Sequence, residues 1–448
     1  MPHIKPFCGI RPAQEYVERI ITSPPDLPPD KATLSSMAAN PHSFLHLVAP
    51  VPGSEFLQGS RDTLIYKQAG ENLQAFLEEG VLQKEGGACL YLYSVEDAGR
   101  YSGEYAGRYS ADGTPGRQTG IWAVTLFDDY LNNRIRKHEY TRRERENSIA
   151  DYVRQTGIDA NPVLIAYKPQ EEINQIIEKY LQQAPVLSFE KGGKRHLLHR
   201  ISSRSDIQTL VALFEDLPEA YLADGHHRAA ALSSYGVERR KFNFKHIGKE
   251  EYNFFSSIYF SAETLEIKPF NRLVKDLNGL SVSAFLEKLS DDFRVEKSAA
   301  APDPEPGCFG MYLAGQWYRL LQGKVRASER GKVRASDPGN RAAPDPVNRA
   351  APDPVKQLDV TLLQERILAP LLGIADPRTN ERIRFAGGIP LEALSRQVDQ
   401  GAAAVLFSLY PTSIHQLMTV ADAGMVMPPK STWFEPKLDL GILTHYID

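Results

Sequence analysis

Apolar and polar positions alternate along this chain with two periods. Between Leu64 and Leu82 the apolar residues Leu64, Ile65, Ala69, Leu73, Phe76 and Leu77 recur three to four apart, the spacing of an amphipathic helix. Ala88–Ser94 (ACLYLYS) and Gly120–Phe127 (GIWAVTLF) are short, aromatic and β-branched, as strands are. The Gly- and Tyr-rich stretch 98–118 between them reads as a hairpin loop. Thr141-Arg142-Arg143-Glu144 has the spacing of a capping box and predicts a polar helix over Arg142–Arg154. A strand at Pro162–Tyr167 follows, then helices over Gln170–Gln183 and Asp206–Asp216 and a short strand at Ala220–Ala223. His226 to Tyr235 is helical, with Gly236 as the stop. Tyr252–Phe260 and Ala403–Tyr410 read as strands and 282–290 as a helix. Helices interleaved with strands predict a mixed α/β fold.

Two regions break the pattern. Residues 1–60 are rich in turn signals, notably Ser23-Pro24-Pro25-Asp26 and Pro28-Pro29, and are expected to wrap a domain rather than form one. Further on, Asn340–Val347 (NRAAPDPV) is repeated at once as Asn348–Val355, Gly323–Ser328 recurs as Gly331–Ser336, and a shorter AAPDP lies at Ala300–Pro304. Such Pro/Ala/Asp/Arg units have too few large apolar side chains to build a core. The expected organisation is therefore an N-terminal wrapping region 1–119, a catalytic core 120–297, a mobile low-complexity insertion 298–356, and a C-terminal α/β region 357–448 that completes a cleft.

Composition narrows the function classes. With 448 residues, 42% of them hydrophobic, the chain can bury sizeable cores without disulfide staples. Cys8, Cys89 and Cys308 have no CxxC spacing, so they read as reduced thiols and the expected compartment is the cytoplasm. A formal net charge of -4 argues against a dominant nucleic-acid interface. No apolar run approaches the roughly 20 residues of a membrane span, and the first twenty residues lack the apolar segment of a signal peptide. The expected partners are small molecules, not nucleic acid or membrane; the oligomeric state is open.

The chemistry concentrates at Asp224-Gly225-His226-His227-Arg228, where a short apolar strand breaks at a glycine and enters an Ala-rich helix. Gly225, His226 and His227 then stand at a helix N-terminus, where free N–H groups and the helix dipole attract anions. Arg228 adds a fork-shaped phosphate donor, and Asp224 is the candidate for Mg²⁺ or for receiving a hydroxyl proton. The blander alternative makes Asp224 a helix cap and the histidines solvated; four such residues in one turn favour the functional reading. A zinc hydrolase is the weaker reading, because adjacent helical histidines point about 100° apart and no H-x-x-x-H pair supports them. Upstream, Lys137-His138-Glu139-Tyr140-Thr141 places Glu139 just outside a helix start, a candidate general base, within the basic set Arg134, Arg136, Lys137, Arg142, Arg143 and Arg145. A third candidate is Met427–Lys437, where Lys430, Ser431, Thr432 and Lys437 are compact phosphate ligands among prolines; an aromatic surface turn is the equal alternative.

With these residues in view the chain resembles the ParB/sulfiredoxin-like superfamily, and within it the free-serine kinases. Asn40-Pro41-His42-Ser43-Phe44-Leu45-His46, Lys137-His138-Glu139-x-Thr141, Ala223–Arg228 and Pro428–Lys437 together are similar to a large bacterial and archaeal family known as a domain of unknown function, to which pyrophosphate-dependent serine kinases belong. The likeness covers nearly the whole chain except the repeats. It implies a ParB-like catalytic core and Glu139 as the base that deprotonates the serine hydroxyl. Asp224 assists the hydroxyl or the metal. Gly225, His226, His227, Arg228, Lys430 and Lys437 bind donor phosphates, and His138, Thr141, Ser431 and Thr432 line the substrate side. The family's usual Pro-Pro-Tyr-Asp is here Pro24-Pro25-Asp26-Leu27, without the tyrosine. No GxxxxGK[ST] occurs, so an ordinary P-loop kinase is not expected. The expected function is phosphorylation of free L-serine by a phosphoanhydride donor, pyrophosphate or a nucleotide, with Mg²⁺. The rivals are a ParB-like nucleotide switch or transcriptional regulator and a metal-dependent phosphohydrolase.

Overall fold

The computed structural model describes residues 2–24, 31–48, 61–97, 116–303, 305–322 and 353–447. Residues 98–115 of the loop expected over 98–118, the prolines from Pro25 to Pro29 and the tandem repeats from 323 to 352 lie outside the described residues, while Arg117 and Gln118 already belong to a strand. The fold is mixed α/β, and the chain forms two compact units: Met1–Glu266 with Pro436–Asp448, and Ile267–Glu435.

The first unit is built on a nine-stranded sheet: β1 (Ile4–Lys5), β2 (Leu90–Asp97), β3 (Arg117–Leu126), β4 (Ile135–Arg136), β5 (Val163–Tyr167), β6 (Leu187–Lys191), β7 (Lys194–Ile201), β8 (Ala220–Asp224) and β9 (Phe254–Ser261). Their order is β4-β8-β5-β9-β3-β2-β7-β6, with β1 also pairing β3; β4–β8 and β5–β9 are parallel and the other pairs antiparallel. Every residue of β5 (VLIAY) is buried, as are all but the first of β9 (FFSSIYFS), so these central strands are covered on both faces, β5 as an unbroken apolar run and β9 with three buried serines. The helices are α1 (Arg61–Glu78), α2 (Arg143–Thr156), α3 (Glu171–Leu181), α4 (Arg204–Glu215) and α5 (His226–Phe242). Ala229, Ala231, Leu232 and Tyr235 of α5 join Val163, Ile165, Leu222 and Tyr259 of the strands in one core.

Helix α5 runs six residues beyond the expected stop at Gly236. That glycine is a packing site: an added Cβ would lie 2.2 Å from Phe127 Cε1 and 2.6 Å from the Tyr252 carbonyl oxygen. The expected capping box is also corrected. The N-cap of α2 is Arg142, without a side-chain cap, so Thr141 stands one residue outside the helix. The helix ends on Gly157 in the left-handed conformation (φ 69°).

The second unit carries an antiparallel six-stranded sheet from β10 (Phe270–Val274), β11 (Phe293–Ser298), β12 (Cys308–Leu313), β13 (Gln316–Gln322), β14 (Ile383–Gly387) and β15 (Val405–Ser408), in the order β11-β13-β12-β15-β10-β14. This redraws the expected insertion over 298–356. Residues 308–322 form a hairpin inside the sheet, turned at Ala314 (φ 50°) and Gly315 (φ 77°). Their apolar content was masked by the repeats that flank them. The structural division likewise falls at 266/267 and 435/436, not at 297 and 357, and the last residues return to the first unit.

Candidate functional site

Strand β8 ends in a bulge. Its register against β5 shifts between Leu222, which pairs with Ile165, and Asp224, which pairs with Leu164, leaving Ala223 as the extra residue. Asp224 is the last residue of the strand, just before the chain turns. Gly225 follows at φ 97°, ψ 26°, a conformation that favours glycine, and serves as N-cap of the 17-residue helix α5. The first N–H groups of α5 consequently open onto the turn without intrahelical acceptors.

Two cations converge on this turn. Lys437 Nζ stands 3.1 Å from Asp224 Oδ2, while the Gly225 N–H donates to Asp224 Oδ1 at 2.8 Å. The Arg228 side chain folds back over Gly225, so that a Cβ there would lie 2.8 Å from its Nη2. Packing around Asp224 would raise its carboxyl, but Lys437 and Arg228 outweigh it and hold the group well below the usual carboxylate range. Asp224 is still half-exposed, at 45% of its side-chain surface. Burial pushes the Arg228 guanidinium down from its ordinary value, opposed by Asp224 and Asp159, and its Nε has no hydrogen-bond partner.

Asp159 is the residue that sequence reasoning missed. It is buried and accepts from the Ser256 N–H at 2.7 Å, and burial pushes its carboxyl up to about 7 despite that bond and the nearby Arg228. Its strand, Ile158–Asp159, pairs with His445–Tyr446. Little local marks it, because Ser256 and Arg228 lie far along the chain and only the Asn161 backbone is near in sequence.

The segment before α2 reaches the same turn. The Arg142 N–H donates to His227 Nδ1 at 3.3 Å, tying the two segments together. His138 and His226 are buried and meet edge to face, ring centroids 4.5 Å apart at 89°. Glu139 is exposed beside them: one ligand atom from each of His138, Glu139 and His226 falls within 4.8 Å of the others. Burial lowers His138 to about 4, and burial with the neighbouring His138 takes His226 well below its ordinary value, so both rings are neutral. The basic residues of this segment divide: Lys137 lies over the Tyr130 ring at 4.1 Å and Arg134 pairs with buried Asp129 at 3.0 Å, whereas Arg142, Arg143 and Arg145 are exposed. Thr141 is half-buried.

Thus His138, Glu139, Asp224, Gly225, His226, His227, Arg228 and Lys437 belong to one unit and one neighbourhood. Lys430, Ser431 and Thr432 belong to the second unit. There Lys430 is exposed at φ 56° and its carbonyl accepts from Arg272 at 2.9 Å, the Ser431 hydroxyl donates to the Pro428 carbonyl at 2.6 Å, and Thr432 is half-buried.

No curated protein matches the chain. Among solved structures, a free serine kinase in complex with AMP is 12% identical, covers 70% of this chain and 86% of its own, and has a TM-score of 0.33. SbnI with a C-terminal truncation from Staphylococcus aureus is 12% identical over 71% of this chain and 84% of its own, with a TM-score of 0.32. A conserved hypothetical protein from Pyrococcus furiosus is 13% identical over 70% and 90%, again with a TM-score of 0.32. Among the described residues, no helix is long and apolar enough to cross a membrane. The model of the family DUF1015, described as a protein of unknown function, matches residues 4–361, and the chain belongs to that family.

Proposed function

We propose that this protein is a cytoplasmic kinase of ParB/sulfiredoxin-like type that transfers a phosphoryl group from a phosphoanhydride donor to the hydroxyl of free L-serine. The observation that carries the reading is the convergence of a helix N-terminus, Arg228 and Lys437 on one turn, with the exposed Glu139 beside it. Phosphoryl transfer asks a protein mainly to position its reactants and neutralise charge. The α5 N–H groups, Arg228 and Lys437 hold the donor phosphates. Glu139 takes the proton as the serine oxygen bonds to phosphorus; the bond from phosphorus to the bridging oxygen breaks, and the leaving phosphate keeps its electron pair.

Mg²⁺ fits Asp224 in one manner. A half-exposed carboxylate held ionised, with one oxygen shared by Lys437, suits an ion that arrives on donor phosphates and keeps most of its waters, not an all-protein cage. When bound, the ion neutralises charge on the donor.

The test is ³¹P NMR of the full chain with L-serine, Mg²⁺ and pyrophosphate, ADP or ATP in turn. O-phospho-L-serine should appear, and Glu139→Gln should lower its turnover by about 10²–10⁴-fold, the usual worth of a general base. Orthophosphate released without phosphoserine makes the protein a phosphohydrolase; no turnover of any donor ends the kinase reading.

A further inference from the structure

Two buried imidazole rings beside the turn are left over from this chemistry. His138 is 2% exposed and His226 4% exposed. His226 Nε2 is buried without a hydrogen-bond partner, and His138 reaches only the Leu222 backbone. Buried polar atoms in folded proteins are nearly always partnered, so an unpartnered His226 nitrogen, nine-tenths buried against a second imidazole, asks for a ligand. The two rings meet edge to face. The geometry adds a third donor: a Glu139 carboxylate oxygen completes a set of ligand atoms within 4.8 Å of one another.

We propose that His138, Glu139 and His226 form a binding site for a divalent transition metal of the zinc class, held by two imidazole nitrogens and one carboxylate oxygen. Donor chemistry sets the class. Imidazole nitrogen suits zinc, iron, cobalt or nickel, whereas Mg²⁺ and Ca²⁺ take oxygen. Two histidines and one glutamate, with a fourth position left open, are a recognised zinc ligand set. Bonds of 2.0–2.1 Å in a tetrahedral site put ligand atoms about 3.3 Å apart, so the set must close by up to roughly 1.5 Å. That closure falls to Glu139, the exposed member of the set, because both rings are buried. The two histidines come from different segments, His138 ahead of α2 and His226 from the first position of α5, so the site exists only in the folded unit. The open side of the metal would lie on the Glu139 face.

The inference goes beyond the kinase reading and stands without it. A bound metal would occupy the carboxylate assigned above as base, so metal-free and metal-loaded protein should differ in serine phosphorylation. Binding is therefore measured with neither serine nor donor present. Full-length protein stripped with a chelator is titrated with Zn²⁺ against a chromophoric competitor, and with Co²⁺ by visible absorption. One ion per chain should bind, and Co²⁺ should give the intense bands of a low-coordinate site. Glu139→Gln should weaken binding by about 10²-fold or more, since losing even an outer-shell partner costs 10–100-fold. Glu139→His should restore it, and His226→Ala should abolish it. The exposed His415→Ala should leave it unchanged. Should His226→Ala fail to fold, Glu139→Gln decides, because that side chain is exposed. Absence of saturable Zn²⁺ or Co²⁺ uptake, or uptake undiminished in Glu139→Gln, overturns the site and leaves the kinase reading intact. Metal uptake in a protein that phosphorylates nothing leaves the site and removes the kinase.

Discussion

Replacing Gly225 by alanine separates two demands that the turn makes on one residue. The first is conformational: φ is 97°, where an L side chain is strained, and a left-handed residue costs about 1–2 kcal/mol. The second is spatial, since the new Cβ would sit 2.8 Å from Arg228 Nη2, 2.9 Å from Nε and 3.2 Å from Cζ. The atoms in the way belong to a side chain, so the guanidinium should swing aside instead of the backbone breaking. That adds about 0.5–1.5 kcal/mol of rotamer strain, for a total of about 1.5–3.5 kcal/mol. Only the second part depends on Arg228. In an Arg228→Ala background, Gly225→Ala should thus cost only the backbone share, and the four proteins of the double-mutant cycle should show a coupling of about 0.5–1.5 kcal/mol. Urea unfolding followed by circular dichroism measures all four. A Gly225→Ala protein within about 0.5 kcal/mol of the parent, or an equal loss in both backgrounds, refutes the reasoning.

Two further outcomes follow from the same neighbourhood. Arg228→Ala should weaken pyrophosphate binding by about tenfold or more, because a charge-assisted pair is lost, and Arg228→Lys should recover only part, since a point charge cannot replace the fork; unaltered affinity by calorimetry removes the phosphate role of this turn. Asp159, raised from 3.8 to about 7, keeps in the folded chain a proton that the unfolded chain has released, so stability should fall between about pH 4 and pH 7 by at most about 1.4 kcal/mol per pH unit. Asp159→Asn should lack that component; parallel pH profiles for the two proteins would show that the carboxyl is ionised in the fold.

The site was legible where its residues are contiguous. Asp224 through Arg228 announce a strand, a glycine turn and a helix, and the structure has all three. Glu139 was legible by its place ahead of a helix, although the cap itself is Arg142 and not Thr141. What stayed hidden is what folding alone brings together. His138 and His226 share an edge only because β4 and β8 are neighbours, and Asp159 depends on Ser256 and Arg228 for its environment. Some of the fold was missed for a different reason. The hairpin of β6 and β7 turns on Gly192 (φ 59°) and Gly193 (φ 75°), a two-glycine signal plainly present between LSFEK and KRHLLHRI. Strands β12 and β13 lie between degenerate repeats, and composition averaged over 298–356 drowned their aromatic pattern.

The return of Pro436–Asp448 to the first unit sets a clock on the ribosome. Asp224 and Lys437 are 213 positions apart, and at about 5–20 residues per second the nascent chain presents Asp224 for some 10–40 s before Lys437 is made. Through that interval the strand holding Asp159 also lacks its partner at His445–Tyr446. A nascent chain therefore carries the Asp224–Arg228 turn without its Lys437 partner until the second unit has been spelled out.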